Sequence, residues 1–458
     1  AREMQSLLSM LRWYRAQLPG VLGAWWWARS ADVGHELLSL ALQRAGPAAT
    51  DGSEMLLALE QLHGLDRVLP AGTANEDLRN RIAALTSRID MPPGGRTLAA
   101  DIAALRNSDA DAVPAPDAAF VDAMLGRLGR RETVLSWYFG ERDAYLLAAG
   151  RSGVRLHRLG SAASLRSRLE ALNRSLAAGS AATGDMLDRL GADLLGVATP
   201  ARGERVYLLA RGVMNGVPVD VLRIDGRYLA ERCDVVRLES LTALQRRRLV
   251  MPDGFERAVF LAGVPQSDRD PFNYEVRRSR EIDTVRDRFV GAGLHIVQGV
   301  ALDRDEFEDE RFASASLLHL AMPGRIDLFD PDRSRLQVAG ATDTVPNGFL
   351  SASGIRAFRL DAVLAVLSNT AVDGQARTAF EGRVGLIADF HAAGVDAVVA
   401  SLWPAGDDAN TAAMAEFYAR LQPGSDIVEA FAEARRALID AADSGNFRQW
   451  AGFQLFIR

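Results

Sequence analysis

The side chains that could perform nucleophilic or acid–base chemistry in this chain are few. His319 lies in a short apolar run, and two hydroxyl residues, Ser368 and Thr370, follow a later apolar run. A hydroxyl beside an imidazole is the minimal pair for nucleophilic catalysis, and Asp373 is the carboxylate that could orient the ring. Each residue also has a structural interpretation. Alternation and burial favour a core histidine, and Asp373 next to Gly374 suits a turn.

Other reactive groups form no recognisable site. The single cysteine, Cys233, lies in a strand-like stretch without a neighbouring base, and we expect a small half-buried core residue. No histidine pair has metal-ligand spacing, and Gly94-Gly95 lacks the Lys-Ser/Thr of a phosphate-binding loop. We therefore expect neither a metal nor a cofactor. The histidines that form no cluster are His35, His63, His157, His295 and His391.

The overall composition is that of a globular protein with two or three domains. The chain has 458 residues, of which 48% are hydrophobic and 24% charged. A formal net charge of −6 argues against a general nucleic-acid-binding surface. The longest apolar runs are too short to cross a bilayer, so we expect no membrane span.

The basic residues are all of one type. The sequence contains no lysine, so its 53 basic residues are all arginine. GC-rich coding favours arginine and explains much of this bias. An alternative is that the protein works beside a machinery that modifies lysine amines, such as a ubiquitin-like pathway, and has lost its own targets.

The N-terminal quarter differs in pattern from the rest. Residues 1–106 carry apolar residues at helical spacing between proline and glycine breaks, which predicts a helical bundle or the end of a TPR-like array. Residues 107–131 contain a polar, proline-containing stretch and are interpreted as a linker.

From residue 132 onward, short apolar runs alternate with helical patterns. The segment 132–254 predicts strands at 133–139, 144–149, 205–210 and 219–222, with helices between 162 and 195. The segment 255–458 predicts an α/β domain with a mostly parallel sheet, whose functional loops follow the strands. Its predicted strands are 258–262, 295–298, 317–321, 363–367, 397–401 and 453–457.

Two of these strand ends resemble the catalytic segments of a protease family. Residues 319–324, His-Leu-Ala-Met-Pro-Gly, resemble the His-Leu-Ala-Thr-His-Gly segment of the CHAT family, which groups caspase- and separase-like clan CD cysteine proteases. Residues 367–370, Leu-Ser-Asn-Thr, resemble its Leu-Ser-Ala-Cys segment. The resemblance places Pro323 where the family has its general base, and Thr370 where it has its nucleophile.

Further segments extend the resemblance to residues 132–458. Residues 390–404 are similar to the family pattern that ends in Ser-Leu-Trp, and residues 450–453 read Trp-Ala-Gly-Phe. The resemblance implies a caspase-like, mostly parallel sheet sandwiched by helices, after a smaller α+β pseudo-domain. Asp407 falls where the family often keeps an acidic residue for binding a basic substrate side chain. The plainer interpretation of Asp407 and Asp408 is the start of a helix.

The resemblance therefore implies a protease scaffold without its dyad. We expect a bacterial, cytoplasmic pseudoprotease that binds a protein, for example an active CHAT relative from the same operon. A remaining pocket would involve His319, Ser368, Asp373 and Asp407. Two alternatives stay open. One is a cryptic peptidase that uses Thr370 or Ser368, and the other is a part in the lysine-modifying pathway.

Overall fold

The computed structural model describes most of the chain from residue 116 onward and a short part before it. The described residues are 38–39, 42, 51–63, 116–177, 184–245, 249–252, 257–262, 281–286, 289, 294–298, 302, 304–325, 334–338, 349–371, 386–403, 407–442, 447 and 450–458. Most of residues 1–106, for which the pattern predicts helices, lie outside the described residues. Within this region the helix Ser53–His63 is described.

Sixteen strands lie in the described residues, and eleven of them form one continuous sheet with the order β3-β2-β1-β4-β7-β16-β15-β14-β10-β8-β9. The strands are β1 Glu132–Phe139, β2 Asp143–Gly150, β3 Gly153–Ser161, β4 Arg205–Leu209, β5 Arg223–Ile224, β6 Arg227–Tyr228, β7 Asp234–Leu238, β8 Ala258–Ala262, β9 Leu294–Gln298, β10 Leu317–Ala321, β11 Gly324–Arg325, β12 Arg335–Gln337, β13 Phe349–Ser351, β14 Leu364–Ala371, β15 Ala397–Ser401 and β16 Phe453–Ile457. The sheet therefore runs through both segments that the sequence separates at residue 254.

The predicted mostly parallel sheet is confirmed, with one change of direction in its centre. Strands β8, β9, β10, β14 and β15 are parallel to one another, but β16 is antiparallel to β15 and parallel to β7. The carboxyl ends of β8, β10, β14 and β15 consequently lie at the same edge of the sheet, which we call the site edge. Loops after parallel strands meet at such an edge.

Helices cover both faces of the sheet, and each face has its own apolar core. Alternate residues of the buried strands supply the two cores, because successive side chains of a strand point to opposite faces. The helices are α1 Ser53–His63, α2 Ala118–Leu125, α3 Ala162–Ala177, α4 Gly184–Leu195, α5 Leu229–Arg232, α6 Glu310–Ala313, α7 Ala352–Ala357, α8 Leu386–Ala393, α9 Asp407–Arg420 and α10 Ile427–Ala441.

The structure differs from the sequence analysis in three local features. No strand was expected at 153–161, where β3 pairs with β2 through a hairpin turn. Residues 219–221 form a 3-10 turn, not a strand, after Pro218. The predicted linker contains helix α2, which begins at the cap Asp117 and buries Val121, Met124 and Leu125. An eight-residue helix gives too short a pattern to stand out beside a proline-rich stretch.

A buried polar cluster links the two segments of the sheet. Arg237 in β7 donates from Nε to Gln454 Oε1 in β16 (3.0 Å) and from its two terminal nitrogens to the carbonyls of Asn215 (3.1 Å) and Val217. Gln454 also donates to Asp220. Burial lowers the pKa of Arg237 to about 10, so the guanidinium is still charged at neutral pH.

Helix α10 completes this cluster from the other side. Arg435 pairs with Asp220 at 3.0 Å and donates to the carbonyl of Phe453 at 2.9 Å. Planar guanidinium groups bind several acceptors in fixed directions, which an ammonium group does not do. The fold therefore requires arginine at positions 237 and 435. The fold does not require arginine at position 189, because Arg189 is 75% exposed and lies 3.9 Å from its partner Asp185.

We predict that Arg237→Lys lowers the free energy of unfolding by about 2–4 kcal/mol, because two of the three buried acceptors lose their donor. Arg189→Lys is the matched control and should change stability by less than about 0.5 kcal/mol. Urea unfolding followed by circular dichroism measures both. Equal losses of stability in the two variants would show that the fold does not require the guanidinium group of Arg237.

Candidate functional site

The strand that carries His319 ends at Ala321, and Pro323 follows two residues later at the site edge. Pro323 is half-buried, and its carbonyl accepts a hydrogen bond from the N–H of Gln337 at 2.8 Å. This contact joins the strand end to the small three-stranded sheet of β11, β12 and β13. Proline offers neither an N–H nor a side-chain proton acceptor, so the position contributes only backbone contacts.

The neighbouring strand β14 changes register at the site edge. Leu367 pairs with Ala400 of β15, but Ser401, the next residue of β15, pairs with Ala371. Residues 368–370 therefore bulge out of the ladder, at the segment that resembles the family's nucleophile loop. Bulges are frequent next to active sites, because they redirect side chains.

The structure describes the side chain of only one candidate hydroxyl residue, Ser368. The backbone of Thr370 lies in β14, its side chain lies outside the described part, and so does Asp373. Ser368 is 1% exposed, and its Oγ has no hydrogen-bond partner in the described residues. Its carbonyl accepts a bond from Asn410 Nδ2 at 3.0 Å. Ser368 thus faces the core, where it has contacts to α9.

His319 is completely buried on the same sheet. Its Nδ1 lies 2.8 Å from the hydroxyl of Tyr418 in α9, and its Nε2 lies 3.1 Å from Glu281 Oε1. Tyr418 and Glu281 are each 1% exposed. The ring of Phe260 lies 5.2 Å from the imidazole and closes this apolar environment.

The contacts of His319 use both ring nitrogens. All three groups are satisfied when Tyr418 donates to Nδ1 and Nε2 donates to the Glu281 carboxylate. Burial, with a smaller contribution from Glu281, raises the pKa of Tyr418 well above its usual value, so the phenol keeps its proton. The imidazole therefore has no free nitrogen with which to take a proton from Ser368.

The Ser-Leu-Trp segment after β15 forms a wall of the site edge. Ser401 Oγ donates to the carbonyl of Trp403 at 2.5 Å, and the N–H of Leu402 donates to the carbonyl of Gly452 at 2.9 Å. A Cβ at Gly452 would lie 3.3 Å from Trp403 Nε1 and 3.2 Å from Ser401 Oγ. The glycine before Phe453 therefore lets the indole ring pack against the β16 backbone.

Helix α9 begins at Asp407, in agreement with the expectation of a helix start there. The helix begins one residue earlier than the pattern from 408 onward indicates, and the side chains of Asp407 and Asp408 lie outside the described part. Asn410 in its first turn is 1% exposed and holds the β14 bulge. Sequence reasoning missed this role, because no short motif connects residue 410 with residue 368.

Helix α8 precedes β15 and ends in a tight turn at Gly394. Gly394 has φ +130°, and a Cβ there would lie 2.2 Å from the carbonyl oxygen of Leu360, so only glycine fits. His391 Nδ1 lies 2.9 Å from the carbonyl of Val395 and belongs to this turn. His391 is therefore a structural residue of the α8–β15 connection.

Asp389 in the same helix is the most perturbed carboxyl group with a resolved value. Burial raises the pKa of Asp389 to about 8, although Arg356 Nε lies 2.9 Å from its Oδ1 and favours the charged form. Burial outweighs this attraction because the carboxyl is 3% exposed. No described contact connects Asp389 with the site edge. The protonation state of Asp389 therefore affects the free energy of unfolding.

Cys233 and the other polar groups supply no alternative centre. Cys233 is fully buried, and burial raises the pKa of its thiol to about 11, so it is not a reactive thiolate. Across the described ranges, no three His, Cys, Asp or Glu side chains gather as metal ligands would. None of the helices described here has the length and apolarity needed to cross a membrane.

We predict that His319→Ala lowers the free energy of unfolding by about 3 kcal/mol or more, because buried Glu281 and Tyr418 lose a shared partner and a cavity forms. Tyr418→Phe removes one donor and should cost about 1–2 kcal/mol. Chemical denaturation of the purified variants measures both values. A decrease in the free energy of unfolding of less than 1 kcal/mol for His319→Ala would mean that the imidazole does not stabilise the core.

We predict a pH dependence that comes from Asp389. Its pKa is higher in the folded chain than in the unfolded chain, so its contribution to stability is complete below about pH 4 and is lost as the pH rises through 8. The side chain of Asp389→Asn stays neutral at every pH. As the pH rises, the free energy of unfolding of this variant should therefore fall by less than that of the unsubstituted chain, with a difference of about 2 kcal/mol or more. The midpoints of urea unfolding at pH 5, 7 and 9 test this prediction. The same change of midpoint with pH in Asp389→Asn and in the unsubstituted chain would contradict it.

Comparison with solved structures identifies the architecture. The separase of Saccharomyces cerevisiae in complex with securin superposes with a TM-score of 0.52 at 9% identity, over 99% of this chain and 39% of the separase chain. The present chain thus spans about two fifths of that protein. Gingipain R, an arginine-specific cysteine proteinase, matches 64% of this chain and 74% of its own at 10% identity and a TM-score of 0.37. RgpB of Porphyromonas gingivalis with its pro-domain gives 11% identity, coverages of 64% and 75%, and a TM-score of 0.38.

Sequence comparison gives the family directly. No curated protein matches the chain. The profile of the CHAT domain, in contrast, matches residues 168–457, which is more than half of the chain and includes residues 319–324 and 367–370. The predicted caspase- and separase-like fold is therefore confirmed, and the chain belongs to the CHAT domain family.

Proposed function

We propose that this chain is a catalytically inactive CHAT-type pseudoprotease that binds a protein partner at the site edge. The observation that carries the proposal is the position of His319. Both of its nitrogens are bonded inside the core, to Tyr418 and Glu281, while the strand-end position of the base is Pro323. The imidazole that remains is therefore a structural element.

The chemistry needs a base at the strand end and an activated nucleophile beside it. A thiolate is partly ionised near neutral pH, whereas a threonine hydroxyl needs a neighbouring base. General base catalysis alone accelerates a reaction by ~10²–10⁴-fold. The combined loss of the base and the thiol therefore lowers the reaction rate by a larger factor. Ser368 has the right chemistry but faces the core at 1% exposure, away from a substrate.

The scaffold around the lost dyad is intact and can serve binding. The β14 bulge is held by Asn410, and the indole of Trp403 is fixed against Gly452. These contacts keep the walls of the site edge in place without a catalytic centre. The similar separase was solved with securin, and we propose a protein partner here too, with an active CHAT relative as the first candidate.

The lysine-modifying pathway remains the second candidate, because the fold requires arginine at only some positions. Buried arginines such as Arg237 use several acceptors that only a guanidinium can reach. Exposed ones such as Arg158, which is 68% exposed and pairs with Asp143, would tolerate lysine. The fold therefore does not explain the absence of lysine at the surface.

The proposed function is tested by measuring cleavage and binding together. The tagged chain is isolated from its producing organism, and peptide libraries are incubated with it and analysed by mass spectrometry. We expect a stable complex and no cleavage above the protein-free rate. Cleavage that disappears in Thr370→Ala or Ser368→Ala would establish the cryptic peptidase instead.

A variant pair locates the binding surface. Pro323→Glu introduces a charge at the half-buried strand end and should weaken the complex at least tenfold, as expected for a desolvated charge in an interface. Arg189→Glu, on the exposed face of α4, is the control and should leave the complex unchanged. Retention of the partner by Pro323→Glu would place the interface elsewhere.

A further inference from the structure

The segment 51–63 is attached to the outermost strand of the sheet at its beginning. The N–H of Gly52 donates to the carbonyl of Val154 at 3.0 Å, and Asp51 forms an isolated antiparallel bridge with Arg155 of β3. A Cβ at Gly52 would lie 2.9 Å from Val154 Cγ1. The glycine thus allows the backbone of residue 52 to approach the edge strand.

The end of the same segment is attached by a buried ion pair. Arg211 Nη2 lies 2.9 Å from Glu60 Oε1, and the other terminal nitrogen donates to the carbonyl of Leu59 at 2.7 Å. Glu60 Oε2 accepts from the N–H of Leu241 at 3.1 Å. The side chains of Arg211 and Glu60 are 5% and 2% exposed.

Docking and helix formation of this segment depend on each other. An eleven-residue helix is marginal in water on its own, so α1 needs the apolar contacts of Met55, Leu56 and Leu59 with the sheet. A buried ion pair adds specificity more than stability, and separation of its partners is costly. Partial displacement of α1 is therefore unfavourable, because it would leave one member of the buried ion pair without its partner.

Arg211 also stands at the start of a chain of contacts to the site edge. Its carbonyl accepts from Met214 at 3.0 Å in the 3-10 turn Gly212–Gly216. Arg237 holds that turn through the carbonyls of Asn215 and Val217. Arg237 also binds Gln454, which lies opposite Ala400 of β15 in the sheet, one residue before Ser401 at the site edge.

We propose that residues 51–63 form a strap that docks on and leaves the sheet as one unit, and that Arg211 and Arg237 transmit its departure to the site edge. The inference rests on the proposed function in one respect, namely that the site edge is the binding surface. A partner that binds α1 away from the sheet would then change the surface presented by β15 and β16.

Hydrogen–deuterium exchange on the whole chain tests the strap. Glu60→Gln removes the carboxylate charge from the ion pair, and we expect about 10- to 100-fold faster exchange in residues 55–61, as for the loss of charge-assisted hydrogen bonds. We expect smaller increases at 212–217 and at 400–402. Glu54→Gln, on the exposed face of α1, is the matched control and should leave all of these unchanged.

A second variant tests whether the segment moves as a unit. Gly52→Val disturbs the contact of residue 52 with Val154, Leu147 and Leu156 of the edge strands. This contact is more than ten ångströms of helix away from Glu60, by the rise of 1.5 Å per residue. We expect it to accelerate exchange at residues 55–61 as well. Fraying confined to residues 51–54 would overturn the strap, and unchanged exchange at 400–402 in both variants would overturn the transmission.

These results are independent of the inactive-subunit proposal. Cleavage of peptides by the chain would contradict the inactive-subunit proposal. Hydrogen–deuterium exchange in α1 would still show whether this helix is docked on the sheet. Conversely, an α1 that never leaves the sheet would end the strap and leave the binding experiment unaffected.

Discussion

The two hydrogen bonds of His319 are the constraint on which this account depends. The imidazole lies between a phenol and a carboxylate, both buried, in the layer between the sheet and α9. In this environment its donor and acceptor capacity is used for holding Tyr418 and Glu281 in place. The strand that carries it ends at Ala321, and Pro323, two residues later, has no side chain that can accept a proton.

The rest of the architecture keeps that edge rigid. One sheet passes through both segments of the chain, and its reversal between β15 and β16 places Gln454 beside Arg237 and Asp220. Buried charges of this kind are costly unless all their bonds are made, so they fix one arrangement of the sheet. The same cluster lies one residue from Ser401, because Gln454 pairs with Ala400 in the sheet.

The sequence predicted the parts of this structure that depend on local pattern. Strand positions such as 317–321 and a core location for His319 follow from alternation. Glu281 could not be predicted as the partner of His319, because no spacing rule connects two residues that are 38 positions apart. The strand β3 and the direction of β16 were missed because pairing partners and strand direction depend on tertiary contacts.

The central claim is that no side chain at the site edge is an activated nucleophile. Fluorophosphonate probes modify only hydroxyls that a neighbouring base has activated, and intact-protein mass spectrometry detects a single adduct. Incubation of the folded chain with such a probe should give no adduct, because the nitrogens of His319 are engaged and Ser368 is buried. An adduct on Ser368 or Thr370 that is lost in His319→Ala would contradict the account.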